Sequence, residues 1–280
     1  MDWLDTIEAA RAWSKAARRA GKTVGLIPTM GALHEGHLSL VRRARAENDL
    51  AIASIFVNPL QFGPNEDFAR YPRDPEGDRA LLESVGCDAV FTTTPEAMYP
   101  PGFGTYVVQD ALAAKLEGAA RPGHFRGVLT VVLKLFEIVR PDRAYFGHKD
   151  FQQTVVIRRM AKDLDLDIAI VVCPTVREPD GLALSSRNRY LSAAERADAL
   201  SLSRGLEKSL RLFAAGERGA APLRRAIEEE VERAPLARLE YAAVVDPETL
   251  DPVDPVRRGD VALVAARLGS TRLIDNARFE

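Results

Sequence analysis

The chain has 280 residues, 46% hydrophobic and 28% charged, with a formal net charge of -2. A chain of this length supports roughly two domains and buries about three quarters of its unfolded surface. The balance excludes a disordered tail and a strongly basic nucleic-acid binder, and fits a small-molecule partner better. The opening MDWLDTIEAARAW is amphipathic and acidic rather than a secretory leader, and no run of about 18 apolar residues occurs, so a cytoplasmic protein with no membrane contact is expected. Cys87 and Cys173 lie far apart without metal-site spacing and read as reduced core residues.

In chain order, helical patterns near 5–20, 37–48, 75–85, 126–139 and 151–163 alternate with apolar strand-like runs at 24–28 (VGLIP), 51–57 (AIASIFV), 88–92 (DAVFT), 143–147 (RAYFG) and 167–172 (DIAIVV). Continuous apolar strands between amphipathic helices predict an α/β domain whose parallel sheet is covered on both faces. After Pro174 the texture changes to a polar loop (TVREPDGLALSSRNRYLS), helices near 193–214 and 222–233, and alternating segments at 238–245, 260–267 and 271–278. The expected division is therefore 1–175 and a smaller α+β domain over 176–280.

Gly21-Lys22-Thr23 imitates the end of a phosphate-binding loop, but Ala16 replaces its first glycine and the triplet precedes a strand. No GxGxxG follows any predicted strand. The stretch after 24–28 is more informative: Thr29-Met30-Gly31-Ala32-Leu33 leads into His34-Glu35-Gly36-His37 at the start of a helix. Free N–H groups and the positive end of the helix dipole attract anions there. Gly36 admits a ligand to the backbone, and the i, i+3 spacing turns both imidazoles to one side. Two histidines so placed can donate to a polyphosphate; a pair of capping or surface histidines is the plainer alternative.

In FVNPLQF, Pro59 ends a strand, which leaves Asn58 and Gln61 at its carboxyl end. Two amides among apolar residues suit a small hydroxy acid, although turn chemistry alone accounts for Asn58. FGHKDFQQ repeats the strand-to-helix arrangement with Gly147, His148, Lys149 and Asp150. Asp150 is an ordinary cap, but a cation at a helix N-terminus opposes the dipole and calls for an anionic ligand. Gln153 lies one turn on. Ser185, Ser186 and Arg187 form a hydroxyl and guanidinium cluster between the expected domains, suited either to a helix cap or to a mobile phosphate clamp. Arg-rich 42–45 reads as a solvated helix face.

The run PTMGALHEGHLSLV resembles the HxGH signature of the nucleotidylyltransferase superfamily. Together with SIFVNPLQF, YPRDPEGD, RPGHFRGVLTVVLKLFEIVRPDRAYFGHKDFQQ and PTVREPDGLALSSRNRYLS, in that order, it is similar to the pantoate:beta-alanine ligases over nearly the whole chain. The resemblance implies a Rossmann-like, doubly wound sheet, a homodimer, and pantoate, beta-alanine and Mg2+-bound ATP as substrates. It assigns ATP contacts to Met30, Gly31, Ala32, Leu33, His34, Glu35, Gly36, His37, Gly147, His148, Lys149, Asp150, Val176, Leu184, Ser185, Ser186 and Arg187. Val176 stands near the adenine, and 185–187 act like the KMSKS loop of class I tRNA synthetases. It assigns Gln61, Gln153 and Asn58 to pantoate and beta-alanine, and catalytic roles to His34, His37, Lys149, Ser185, Ser186 and Arg187. Val128, Val131 and Val132 suit the gem-dimethyl group of pantoate and equally suit plain core. Two departures stand out. GHKD replaces the family's common GEKD, and Glu76-Gly77-Asp78 stands where an acidic doublet is frequent, so the metal ligands stay unassigned. A plain nucleotidylyltransferase and a non-catalytic nucleotide-binding module are the competing readings.

Overall fold

The computed structural model describes all 280 residues, and the chain divides into two compact units, Met1–His148 with Gln153–Pro174 and Lys149–Gln152 with Thr175–Glu280. In chain order the elements are β1 (Asp2–Leu4), α1 (Ile7–Arg19), β2 (Val24–Thr29), α2 (Glu35–Glu47), β3 (Leu50–Ile55), α3 (Pro75–Ser84), β4 (Ala89–Thr92), α4 (Pro95–Met98), α5 (Glu117–Ala120), α6 (His124–Val139), β5 (Arg143–Gly147), α7 (Phe151–Asp163), β6 (Ala169–Cys173), α8 (Ala193–Ala214), α9 (Ala220–Glu232), β7 (Ala237–Val245), β8 (Val261–Leu268) and β9 (Thr271–Arg278). The helix starts follow the local chemistry. Thr6 and Asp74 accept from the first-turn N–H groups of α1 and α3, Pro75 opens α3, and Ser192 and Glu195 close a reciprocal cap on α8.

The first unit is a parallel six-stranded sheet in the order β1-β4-β3-β2-β5-β6. Its inner strands are apolar on both faces, as the continuous runs predicted: Val24, Leu26, Ile27, Ala51, Ile52, Ala53, Val90 and Phe91 are all fully buried. Cys87 and Cys173 are buried free thiols in the core of this sheet. The order reverses at β2, with β3 on one side and β5 on the other. Whereas β2 and β3 stay paired from Val24–Leu50 to Thr29–Ile55, β2 and β5 pair only at Gly25–Arg143 and Leu26–Ala144. Beyond Leu26–Ala144 the carboxyl ends of β2 and β5 are unpaired, at the topological switch point, the place where open α/β sheets bind ligands.

The second unit carries the antiparallel sheet β7-β8-β9, with α8 and α9 packed on it through Leu202, Leu206, Leu223, Ile227, Val264 and Leu268. Two details differ from the periodicity reading. Asp2–Leu4 is a short edge strand on β4, too short to carry a pattern of its own. Strand β8 is buried at seven of its eight residues instead of alternating, because it is the middle strand and both its faces are out of solvent. No helix is long and apolar enough to cross a membrane.

Candidate active site

The loop after β2 is shaped by two left-handed residues in succession, Gly31 (φ +78°) and Ala32 (φ +49°). Such a turn points consecutive N–H groups into a concavity that binds anions, and here the anion is the protein's own. Asp78, in the first turn of α3 and 2% exposed, accepts from Ala32 N at 2.9 Å and Leu33 N at 2.7 Å. A Cβ on Gly31 would lie 2.8 Å from the Asp78 carboxylate. Thr29 Oγ1 adds a bond from Gly31 N and itself donates to Ser54 O. Asp78 is thus a prop for the loop leading into α2.

His34 caps α2, its Nδ1 accepting from Gly36 N at 3.2 Å. An accepting Nδ1 leaves the proton on Nε2, so His34 can cap and still present a donor. The His34 and His37 rings lie 4.2 Å apart between centroids, both half-buried, so the expected common side for the two imidazoles is found. Glu35 points outward to an ion pair with Arg42, whose hydrogen bond holds the carboxyl below its usual range. Met30 and Gly36 are half-buried, and Ala32 and Leu33 are buried.

A one-turn helix at 59–61 follows β3 and brings Gln61 to Met30, with Gln61 Nε2 to Met30 Sδ at 3.1 Å. Asn58, expected as a substrate-facing amide beside Gln61 or as a turn residue, sits behind this turn and caps it. It is 1% exposed, and its amide is spent on Gln61 Oε1 (3.0 Å), Gly127 O (3.1 Å), Leu60 N (3.3 Å) and the Tyr99 hydroxyl (2.8 Å). Burial pushes the Tyr99 phenol up, which keeps it a donor. Helix α6 approaches the same turn through Gly127, where a Cβ would strike the Leu60 carbonyl and stand 2.6 Å from Gln61 N. Val128, Val131 and Val132 are buried in α6 with most of that helix. Just before α6, Arg121 holds Glu66 through Nε and Nη2, both at 2.6 Å, and reaches Gln61 O at 3.3 Å, while His124 Nδ1 meets Gln61 O at 2.8 Å.

Gly147 ends β5, paired with Cys173 of β6, and a side chain there would project into open space. A short 3-10 turn over His148, Lys149 and Asp150 leads into α7, and Gln153 is half-buried in its first turn. In the second unit, the Lys149 carbonyl accepts from Asn276 Nδ2 at 2.9 Å, and the Lys149 ammonium lies 3.8 Å from Asp150. Val176 O accepts from Leu184 N, Arg177 bridges to Ala183, and Arg177 forms a two-pronged ion pair with Asp275 at 2.6 and 2.9 Å. Ser185 caps the next 3-10 turn (Ser186–Tyr190) by accepting from Arg187 N at 3.3 Å, and Ser186 is 6% exposed. The capping alternative thus holds for the Ser185 side chain.

Sequence reasoning passed over Tyr99, Glu66, Arg121 and Asn276, since each acts on main chain or side chains remote in sequence, and it weighed Asp78 only beside the unassigned metal ligands.

The pantoate-beta-alanine ligase family model matches residues 2–278. The chain belongs to this family. Family relatives include the pantothenate synthetases of Moorella thermoacetica, 56% identical over all of this chain and 99% of the relative, and of Thermotoga neapolitana, 54% identical over 98% of each. Among solved structures of the family, pantothenate synthetase from Thermus thermophilus superposes with a TM-score of 0.95 at 51% identity, covering 100% of this chain and 99% of that one. A pantoate-beta-alanine ligase from Francisella tularensis, complexed with beta-gamma ATP and beta-alanine, gives 0.81 at 34% identity over 99% and 97%.

Proposed function

We propose that this chain condenses (R)-pantoate with beta-alanine at the expense of ATP. The pantoate carboxylate attacks the α-phosphorus, expelling pyrophosphate and leaving a pantoyl adenylate. The amine of beta-alanine then attacks the activated carbonyl, loses a proton, and expels AMP to give pantothenate. The match to the ligase family over residues 2–278 carries this reading.

Neither step needs a protein nucleophile, so catalysis rests on positioning and on stabilising charge. His34 and His37, at the positive end of α2, are proposed to donate to the oxygens that leave with pyrophosphate. Lys149 would hold the phosphates, and Ser185, Ser186 and Arg187 would close over them. Main chain at 30–37 and 147–150 would follow the nucleotide, with Val176 and Leu184 near its base. Gln61 and Gln153 would hold pantoate, while Asn58 serves from behind Gln61. No group of three His, Cys, Asp or Glu side chains is placed to hold a metal, and the Asp78 carboxylate is already spent on main chain. Mg2+ is proposed to arrive on the ATP phosphates, where it would neutralise their charge. We further propose a cytoplasmic homodimer, on the family resemblance.

The test is isotope exchange. With ATP and magnesium, pantoate alone should support exchange of labelled pyrophosphate into ATP; a strict requirement for beta-alanine would contradict a free-standing adenylate.

A further inference from the structure

We propose that Glu66, Arg121 and His124 are positioning residues for pantoate, gripping the main-chain carbonyl of Gln61 and so fixing where its side-chain amide meets the substrate. The inference rests on the reading of Gln61 as a pantoate contact.

The turn that carries Gln61 is only weakly held by its own main chain. Its own main-chain bonds, Gln61 N to Asn58 O and Phe62 N to Pro59 O, are both 3.4 Å, at the weak end of the range. The outer anchors are better made. His124 Nδ1 to Gln61 O is 2.8 Å, and Arg121 Nη2 adds a second donor at 3.3 Å, so both lone pairs of that carbonyl are taken.

The chemistry of the partners settles the direction of every bond. Arginine only donates, so the 3.0 Å contact between Arg121 Nη1 and His124 Nε2 makes Nε2 an acceptor and puts the imidazole proton on Nδ1, facing Gln61 O. Burial first, and then the Arg121 charge, push the His124 pKa down to about 4, so this tautomer persists at neutral pH. Glu66 in turn fixes the guanidinium in a two-pronged pair. Burial opposes a charged Glu66, but the hydrogen bonds and charge of Arg121 outweigh it and bring its pKa to about 2. Side-chain exposures of 15% for Arg121 and 24% for Glu66 shield the pair from much of the solvent screening that weakens surface ion pairs. Both Nη2 protons, the Nε proton and one Nη1 proton of Arg121 are used within the protein, which suits a strut better than a substrate ligand.

Steady-state kinetics on the full chain with pantoate, ATP and beta-alanine decide the matter. Arg121→Met and His124→Leu should each raise the pantoate KM about tenfold or more, the scale of a small displacement of a positioning group, and leave the ATP KM within about twofold. His124→Asn, whose amide nitrogen stands near the lost Nδ1, should restore much of the pantoate affinity. In a Gln61→Ala background, Arg121→Met should add almost nothing. Fully additive losses would mean that Arg121 acts on substrate directly, and would overturn the proposal. If Gln61→Ala weakens pantoate but the Arg121 and His124 variants do not, the proposal fails while the reading of Gln61 stands. If Gln61→Ala leaves the pantoate KM unchanged, both fall. Should Arg121→Met fail to fold, Glu66→Gln and the His124 pair carry the same comparison among variants with wild-type circular dichroism. Equal losses for His124→Asn and His124→Leu would then count against a positioning role.

Discussion

At the residue scale, the two histidines of the opening motif divide their ring atoms between structure and chemistry. His34 spends Nδ1 on the helix cap and keeps Nε2 as a donor. If His37 stabilises the departing pyrophosphate, His37→Ala should lower kcat by about 10²- to 10³-fold, the cost of one transition-state donor, with circular dichroism unchanged. The double variant with Lys149→Ala should lose less than the product of the single losses, because both groups serve one developing charge. His148 is a separate question, since it breaks the common family wording. Successive side chains leaving a strand end point in different directions, which argues that the nucleotide uses only the main chain of His148. Then His148→Glu should keep kcat/KM within about fivefold, whereas Lys149→Ala should lose at least about a hundredfold. A large loss in His148→Glu that is absent in His148→Gln would place the imidazole on the phosphates instead.

At the scale of the element, the loop between β2 and α2 owes its shape to α3. Ala32 in the left-handed region costs roughly 1 kcal/mol, which the two main-chain bonds that Asp78 accepts offset. Asp78→Ala leaves two buried N–H groups without an acceptor and should destabilise the protein by about 2–4 kcal/mol, seen as a lowered melting temperature. Asp78→Asn should cost less, and both should raise the ATP KM. This part of the site was not legible in the sequence, for a physical reason. Asp78 and Ala32 are 46 positions apart, and nothing in PEGDRALLES announces which main chain its inward acid will meet. The HxGH stretch was legible because its pattern is local: a strand end, a helix start and two histidines three apart all lie within a dozen residues. The sheet was legible too, since strands buried on both faces leave unbroken apolar runs. Asn58 takes the turn role, and packing against Gly127 draws it inward.

At the scale of the whole molecule, acid stability should report on the cluster around Arg121. His124 is held neutral in the fold, with a pKa near 4 against an ordinary 6.5. Between those values the unfolded chain binds the extra proton. Its contribution is therefore complete above about pH 6.5 and is lost as the pH falls toward 4, by up to about 3 kcal/mol. Glu66 has the same sign in a lower window, stabilising above about pH 4.5 and failing as the pH drops toward 2. Melting temperatures of the wild type and His124→Asn, followed from about pH 7.5 down to about pH 4, should show the wild type losing ground to the variant across that interval. Parallel curves would mean that His124 does not titrate differently in the folded and unfolded states.

Strand β9 has a consequence for how the protein is made. Asn276 fixes the Lys149 carbonyl and its neighbour Asp275 fixes Arg177, at the base of the loop that carries Ser185–Arg187. Both anchors come late in translation, roughly 240 residues after His37, a delay on the order of tens of seconds at about 5–20 residues per second. A nascent chain on the ribosome thus displays its histidines well before the groups proposed to close on phosphate have their supports, and a product broken off ahead of residue 275 should bind nucleotide weakly and turn nothing over.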